Sequence, residues 1–480
     1  MFTLRRRLFL SLGIAPFAFA SPAQSAPDQP TISCLQAQGS HAAACFSASA
    51  ADVMLNPNDD RFALLLNFGV AWPNLVPNSF DLVCEEAYGG QTPERALMLN
   101  DGTLFIPTLT GLRRGLVGDG CSFTSADGIP PDSVVHQVVS IGKDSRSLLA
   151  LATNTNRQRV LYRSDDGGAN FVSIYVFATG VVLWQVLVAP LDPQVVYVAG
   201  TGANGPFALG RSDDGGITFQ ILDPLPALQD AFTGAALIAV SPEASNTIYF
   251  ARSSVTGPEE IWRSLDGGAS LNRLLVLEEG EIVSGFTFGQ TSQNIFVAGR
   301  RLLETKGVPP AHLFVSTDGG DTWMPGQPSS VQGPRFQCLR YRRGELWACG
   351  GDPARGDTFL LGRSADEGKT WQAVTSVPSF LGVKSCAAPL CPATSKWLCD
   401  SYGLCNSPDG GVPGTSTDAG TETPAGQSTQ GCGCQVGSAK KNESAAMALV
   451  FSLLALALGR ITVSDLRLKR RAAAQRHKPA

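Results

Sequence analysis

Ser316-Thr317-Asp318-Gly319-Gly320, followed by Asp321-Thr322-Trp323, is one of five copies of a single pattern. The others are Ser164-Asp165-Asp166-Gly167-Gly168, Ser212-Asp213-Asp214-Gly215-Gly216, Ser264-Leu265-Asp266-Gly267-Gly268 and Ser364-Ala365-Asp366-Glu367-Gly368. Ser, Asp and Gly alternate, and a Thr with an aromatic usually follows, as in Thr370-Trp371. Such a string is a hairpin turn with a buried anchor. The carboxylate accepts N–H groups of its own turn, Gly supplies a positive φ, and the aromatic plugs between neighbouring sheets. The anchors Phe171, Phe219, Leu271, Trp323 and Trp371 are spaced by 48, 52, 52 and 48 residues. Stacked four-stranded units of about 40–50 residues have that period.

At the same period, two eroded copies lie upstream: Asp119-Gly120-Cys121-Ser122-Phe123 and a tract ending at Asn78-Ser79-Phe80. Before the turns come paired apolar runs, Val186–Pro190 with Val195–Ala199 and Ile238–Pro242 with Ile248–Ala251. Met54–Pro57 with Phe62–Leu66 has the same form in the first unit. Helical periodicity is nearly absent, and β-branched and aromatic runs bounded by Gly, Pro, Asn and Asp dominate. The expected fold is therefore all-β: a seven-bladed β-propeller within residues 31–405, its blades beginning near residue 46, with eight blades as the alternative. A further hairpin is read over Cys386–Cys399 with Trp397, by likeness to Cys338–Cys349 with Trp347. It would complete the first blade or begin an eighth.

The repeated turn resembles the Asp-box, or bacterial neuraminidase repeat, of sialidases, sortilin-type receptors, photosystem assembly factors and some glucanases. The resemblance implies a propeller in which the boxes are structural. A sialidase also needs an early Arg-Ile-Pro and a Tyr nucleophile with a Glu. Here the nearest string is Phe105-Ile106-Pro107, and Tyr341 with Glu345 falls in a hairpin turn.

The ends of the chain point to export. Residues 1–25 join Arg5-Arg6-Arg7 to a short apolar run and small residues, a secretory signal of Sec or twin-arginine type. Residues 406–431 are rich in Gly, Thr, Ser, Pro and Asp and read as a flexible linker. Beyond it lie Cys432 and Cys434, an apolar segment at 445–458 expected to enter a membrane as a short helix, and a basic end. Residues 432–480 resemble the C-terminal sorting tails of myxobacterial surface proteins. The resemblance implies cleavage near Cys432 and Cys434 and a surface anchor there; a plain single-pass anchor is the alternative.

Setting those two aside leaves ten of the 12 cysteines, an even set suited to an oxidising compartment. Symmetry about turns predicts Cys34–Cys45 and Cys338–Cys349, and Cys84–Cys121 would link the first two units. Cys386, Cys391, Cys399 and Cys405 would then pair among themselves. Their spacing fits no common zinc pattern and the four His residues are scattered, so neither a metal nor a cofactor is implied. Between the signal and Cys434 there are 25 basic and 39 acidic residues, near −14, against −4 for the whole chain. That balance argues against nucleic acid as a partner.

A carboxylate-based glycoside hydrolase needs only two acids suitably spaced, and Glu260, Asp352 and Asp357 are candidates. The loops opposite the box turns, Thr201–Phe207, Ser253–Glu260, Arg301–Ala311 and Asp352–Asp357, differ from copy to copy, as a binding face would. The cluster Arg340, Tyr341, Arg342 and Arg343 could hold an acidic sugar. The expected function is an exported, cell-surface module that binds protein or glycan without catalysis. A carbohydrate-active enzyme and an envelope assembly factor are the alternatives.

Overall fold

The structure, a computed structural model, describes residues 48–56, 58–89, 95–118, 122–142, 146–204, 207–223, 234–253, 258–301, 311–324, 335–351 and 357–404. The signal, linker and tail, Cys34, Cys45, Cys121, Cys405, Cys432, Cys434 and Asp352 lie outside these residues. No helix among the described residues is long and apolar enough to cross a membrane.

Seven sheets follow one another along the chain, so the protein is a seven-bladed β-propeller. Blade 1 holds Ala50–Leu55, Phe62–Leu66, Gly69–Pro73 and Phe80–Cys84, and blade 2 runs from Leu97–Met98 to Thr124–Ser125. Blade 3 comprises Val134–Ile141, Ser147–Thr153, Arg159–Ser164 and Val172–Val176. Blade 4 comprises Val182–Val188, Val196–Thr201, Ala208–Ser212 and Gln220–Leu222. Blade 5 runs from Gly234–Val240 to Asn272–Val276, and blade 7 from Cys338–Arg342 to Gln372–Thr375. Blade 6 has Glu281–Phe288, Ile295–Arg301 and Ala311–Ser316, with a bridge from Val315 to Met324 where a fourth strand would begin.

Burial follows position in the blade. The second strands are covered on both faces by neighbouring blades, so they read as continuous apolar runs: Leu148 to Ala152 and Val196 to Ala199 are fully buried. The fourth strand Val172–Val176 is largely exposed. The first strands of successive blades touch around the axis, and in blades 1, 3, 4, 5 and 6 each carries a β-bulge. A bulge leaves one residue out of register and re-aims its side chain.

The ring closes between blades 7 and 1. Ala50 N–H donates to the Gly350 carbonyl at 3.0 Å, and Arg340 pairs with the buried Asp52 at 2.7 Å. Arg342 donates to the Asn56 and Asp59 carbonyls while lying over Trp347, and Arg343 pairs with Asp60 at 2.9 Å. The Arg340–Arg343 cluster, a candidate for acidic-sugar binding, is thus engaged in closure. Tyr341 stacks on Phe296 of blade 6, 6.1 Å between centroids.

Three expectations are corrected beyond blade 7. Phe380–Val383 joins blade 1 as an outer fifth strand, parallel to Phe80–Cys84, so no eighth blade begins among the described residues. The hairpin expected at Cys386–Cys399 is instead the helix Pro392–Tyr402, with proline in its first turn and left-handed Gly403 (φ 70°) at its end. Those residues are a start and a stop signal, and the likeness to Cys338–Cys349 masked them. Cys84 is bonded to Cys391, not to Cys121, because the helix rests on blade 1, with Trp397 against Phe68 at 5.0 Å. Cys391 therefore leaves the supposed self-contained set of four; Cys386 and Cys399 are also in disulfides. Cys338 and Cys349 are bonded across their hairpin.

Candidate binding face

On one face, the five repeated turns share one wiring. The Ser hydroxyl donates to its Asp at 2.7–2.8 Å and accepts the N–H of the last Gly at 2.7–2.9 Å. The same Asp accepts the backbone N–H and the side chain of the residue four positions on: Asn170, Thr218, Ser270, Thr322 or Thr370. Bonds from the Thr or Ser side chain and N–H hold Asp214, Asp266, Asp318 and Asp366 down at about 2, and those from Asn170 hold Asp166 lower still. These carboxylates are saturated by their own turns.

The last Gly of each turn has a second role. A Cβ there would meet a side chain of the preceding blade: Phe105 Cζ at 2.2 Å for Gly168, Leu161 at 2.9 Å for Gly216 and Leu209 at 2.5 Å for Gly268. Gly320 would meet Leu274 at 2.7 Å, and Gly368 would meet Leu313 at 2.1 Å. Close blade-to-blade approach, as well as positive φ, calls for Gly. The eroded turn of blade 1 is built otherwise. Asn74 accepts the Val76 N–H at 3.1 Å and donates to Asp81 at 2.5 Å, and Phe80 is buried. In blade 2, Asp119–Cys121 lie outside the described residues, and Phe123 packs edge-on to Tyr88.

Of the loops expected to vary from copy to copy, residues 205–206, 254–257, 302–310 and 352–356 lie outside the described residues; the ends that flank them lie on the face opposite the repeated turns. Of the acids nominated there, Glu260 is paired with Arg252 and Arg273 and accepts the Trp262 indole N–H at 2.8 Å. Asp357 is buried and accepts the N–H groups of Gly351, Arg335 and Thr358. Glu345 lies 3.9 Å from Arg363, and Tyr341 is in its stack on Phe296. Blade 6 adds a cluster that sequence reasoning missed. The buried Glu281 carboxylate bonds His312 Nδ1, Glu278 lies 3.8 Å from His312 Nε2, and Arg301 pairs with Glu278. Glu278, Glu281 and His312 have donor atoms within 4.8 Å of one another, a set able to hold a cation, although Arg301 already supplies positive charge there.

At the loop-side ends of their strands, blades 3 and 4 bring three side chains and a backbone carbonyl together. Arg159 Nε donates to the Leu183 carbonyl at 2.7 Å, and its Nη1 donates to Thr153. The Thr153 hydroxyl lies 2.6 Å from His136 Nε2. Burial, and then the Arg159 charge, push His136 down to about 4, so it is neutral at pH 7. Next to Leu183, Trp184 is the bulge residue of its innermost strand and stays 37% exposed. In sequence it sits inside the apolar run Val182-Leu183-Trp184-Gln185-Val186 and reads as core; in the structure it lies at the bulge and is exposed, like Val182 two residues before it.

No protein-family model matches this chain, and no curated protein matches it. Solved structures do. The GH74 xyloglucanase of Xanthomonas campestris is 18% identical with a TM-score of 0.40, the match covering 57% of this chain and 43% of that one. YCF48 of Cyanidioschyzon merolae is 11% identical over 64% of this chain and 93% of its own, with a TM-score of 0.42. The Cps50 (Swd1) β-propeller domain of Myceliophteria thermophila is 11% identical over 63% and 93%, with a TM-score of 0.42. The chain spans less than half the length of the xyloglucanase, and at such identities the likeness concerns the fold alone.

Proposed function

We propose that this chain is an exported, surface-anchored Asp-box propeller that binds a protein or glycan ligand on its loop face and performs no chemistry. The carrying observation is the state of the nominated carboxylates among the described residues, Asp352 lying outside them. Glu260 and Asp357 are engaged by Arg side chains, an indole N–H or backbone N–H groups, and the box aspartates by their own turns. A hydrolase needs one acid free to protonate a leaving group and another facing the sugar. Export and anchoring rest on the amino-terminal signal at 1–25 and on the tail at 432–480 with Cys432 and Cys434. A glycan array read beside a polysaccharide-cleavage panel tests the proposal: binding without turnover supports it, and turnover overturns it. The Glu278–Glu281–His312 cluster favours carboxylate hydrolysis as the second reading. In that case Glu281→Gln would abolish the turnover.

A further inference from the structure

We propose that the loop-side junction of blades 3 and 4 is a subsite for an acidic sugar, with a uronic acid carboxylate on Arg159 and its pyranose ring on the Trp184 indole. The proposal rests on the binding reading above and names its ligand class.

Arg159 is the first reason. Arg163, Arg211, Arg263 and Arg301 each have a carboxylate partner, but Arg159 pairs with none among the described residues. Its bonds go to a backbone carbonyl and a hydroxyl, and its Nη2 has no partner among the described residues. It is half-buried, and desolvation lowers its pKa. A guanidinium withdrawn from water without a counter-ion is costly, and a planar carboxylate fits its remaining donors.

His136 and Thr153 act as positioning residues. Arg159 donates to the Thr153 oxygen, whose hydroxyl also bonds His136 Nε2, so the three side chains hold one another in place, and His136 is neutral at pH 7. The site therefore holds one positive charge, matched to one carboxylate, with Arg159 fixed on the Leu183 carbonyl. Trp184, one residue further, offers a flat apolar face, and its indole N–H has no partner among the described residues. Val182, also exposed, extends that surface. The C–H face of a pyranose suits an indole, whereas an acidic peptide side chain presents no comparable flat face. The net charge near −14 between signal and tail repels a dense polyanion, so the unit recognised is a terminal or isolated uronic acid.

The test uses the full-length chain and calorimetric titration with a glucuronic-acid-terminated trisaccharide and its carboxyl-reduced, glucose-terminated counterpart. The acid is expected to bind at least about tenfold tighter, Arg159→Gln to erase that preference, and Trp184→Ala to weaken both saccharides alike by about tenfold. Trp184→Phe should restore most of the loss. Equal binding of the two saccharides to the unmodified chain overturns the assignment, whether or not the variants fold. So does a preference that survives Arg159→Gln, or binding of an acidic peptide in place of the saccharides. If other glycans bind and neither substitution affects them, the subsite fails while the binding function stands; hydrolysis of the saccharide overturns both.

Discussion

Gly168→Ala and Gly167→Ala form a pair of neighbouring substitutions that isolates what holds one blade against the next. Both glycines are left-handed, at φ 78° and 75°. An alanine at either position therefore costs about 1–2 kcal/mol in backbone strain. At Gly167 a Cβ meets nothing within 4 Å, so strain is the whole effect. At Gly168 it would lie 2.2 Å from Phe105 Cζ, 2.6 Å from Cε1 and 3.0 Å from Leu148 Cδ1. Phe105 is fully buried in blade 2 and its ring cannot swing into solvent, so overpacking adds about 1–3 kcal/mol. The totals are about 1–2 and about 2–5 kcal/mol. With an unfolding entropy of about 0.75 kcal/mol per kelvin for about 360 residues, Tm falls by about 2 °C and about 3–7 °C respectively. Scanning calorimetry measures both. Phe105→Leu in the Gly168→Ala background should return part of the loss, which a double-mutant cycle reads as coupling. Equal shifts for the two alanines, or no coupling to Phe105, would refute the idea that the last Gly is a blade-to-blade contact.

The fifth turn has Glu367 at φ 60° where the others have Gly, so Glu367→Gly should raise stability by about 0.5–1 kcal/mol, read as an increase in Tm. The Cys84–Cys391 disulfide spans 307 residues and Cys338–Cys349 spans 11, so in the chain-entropy account Cys391→Ser should cost about 3 kcal/mol more than Cys349→Ser in denaturant unfolding. Arg340→Ala strands the buried Asp52 carboxylate, and a loss of about 3 kcal/mol is expected, with faster hydrogen exchange in Ala50–Leu55 and Cys338–Arg342. The box aspartates have folded pKa values of about 2 or lower, depressed below the ordinary 3.8. Their stabilisation is therefore complete above about pH 4 and is lost as pH falls toward 2; Asp318→Asn should flatten the Tm profile in that window.

Blade number and order were legible because five blades repeat a turn whose bonds all lie within a few residues, and the period they set locates the other two. Ser316, Asp318, Gly320 and Thr322 satisfy one another locally, so their spacing carries the geometry wherever it occurs. The hairpin Cys338–Cys349 was legible for the same reason. The partner of Cys84 was not, since it depends on where a helix more than 300 residues away comes to rest on blade 1. Nor was the fate of Arg340–Arg343, a charged hairpin in sequence and a ring closure in space.

The sequence by itself determined a propeller of repeated blades and an excess of acidic over basic residues between residue 26 and Cys434. Only the tertiary structure decided how the ring closes, that the nominated acids Glu260 and Asp357 are already engaged, and that Trp184 is exposed next to the residue whose carbonyl holds Arg159. Periodicity records contacts within a repeat, whereas the bond from Arg159 to the Leu183 carbonyl lies between repeats. A single bulge there shifts the side of the strand on which the residues after it are found.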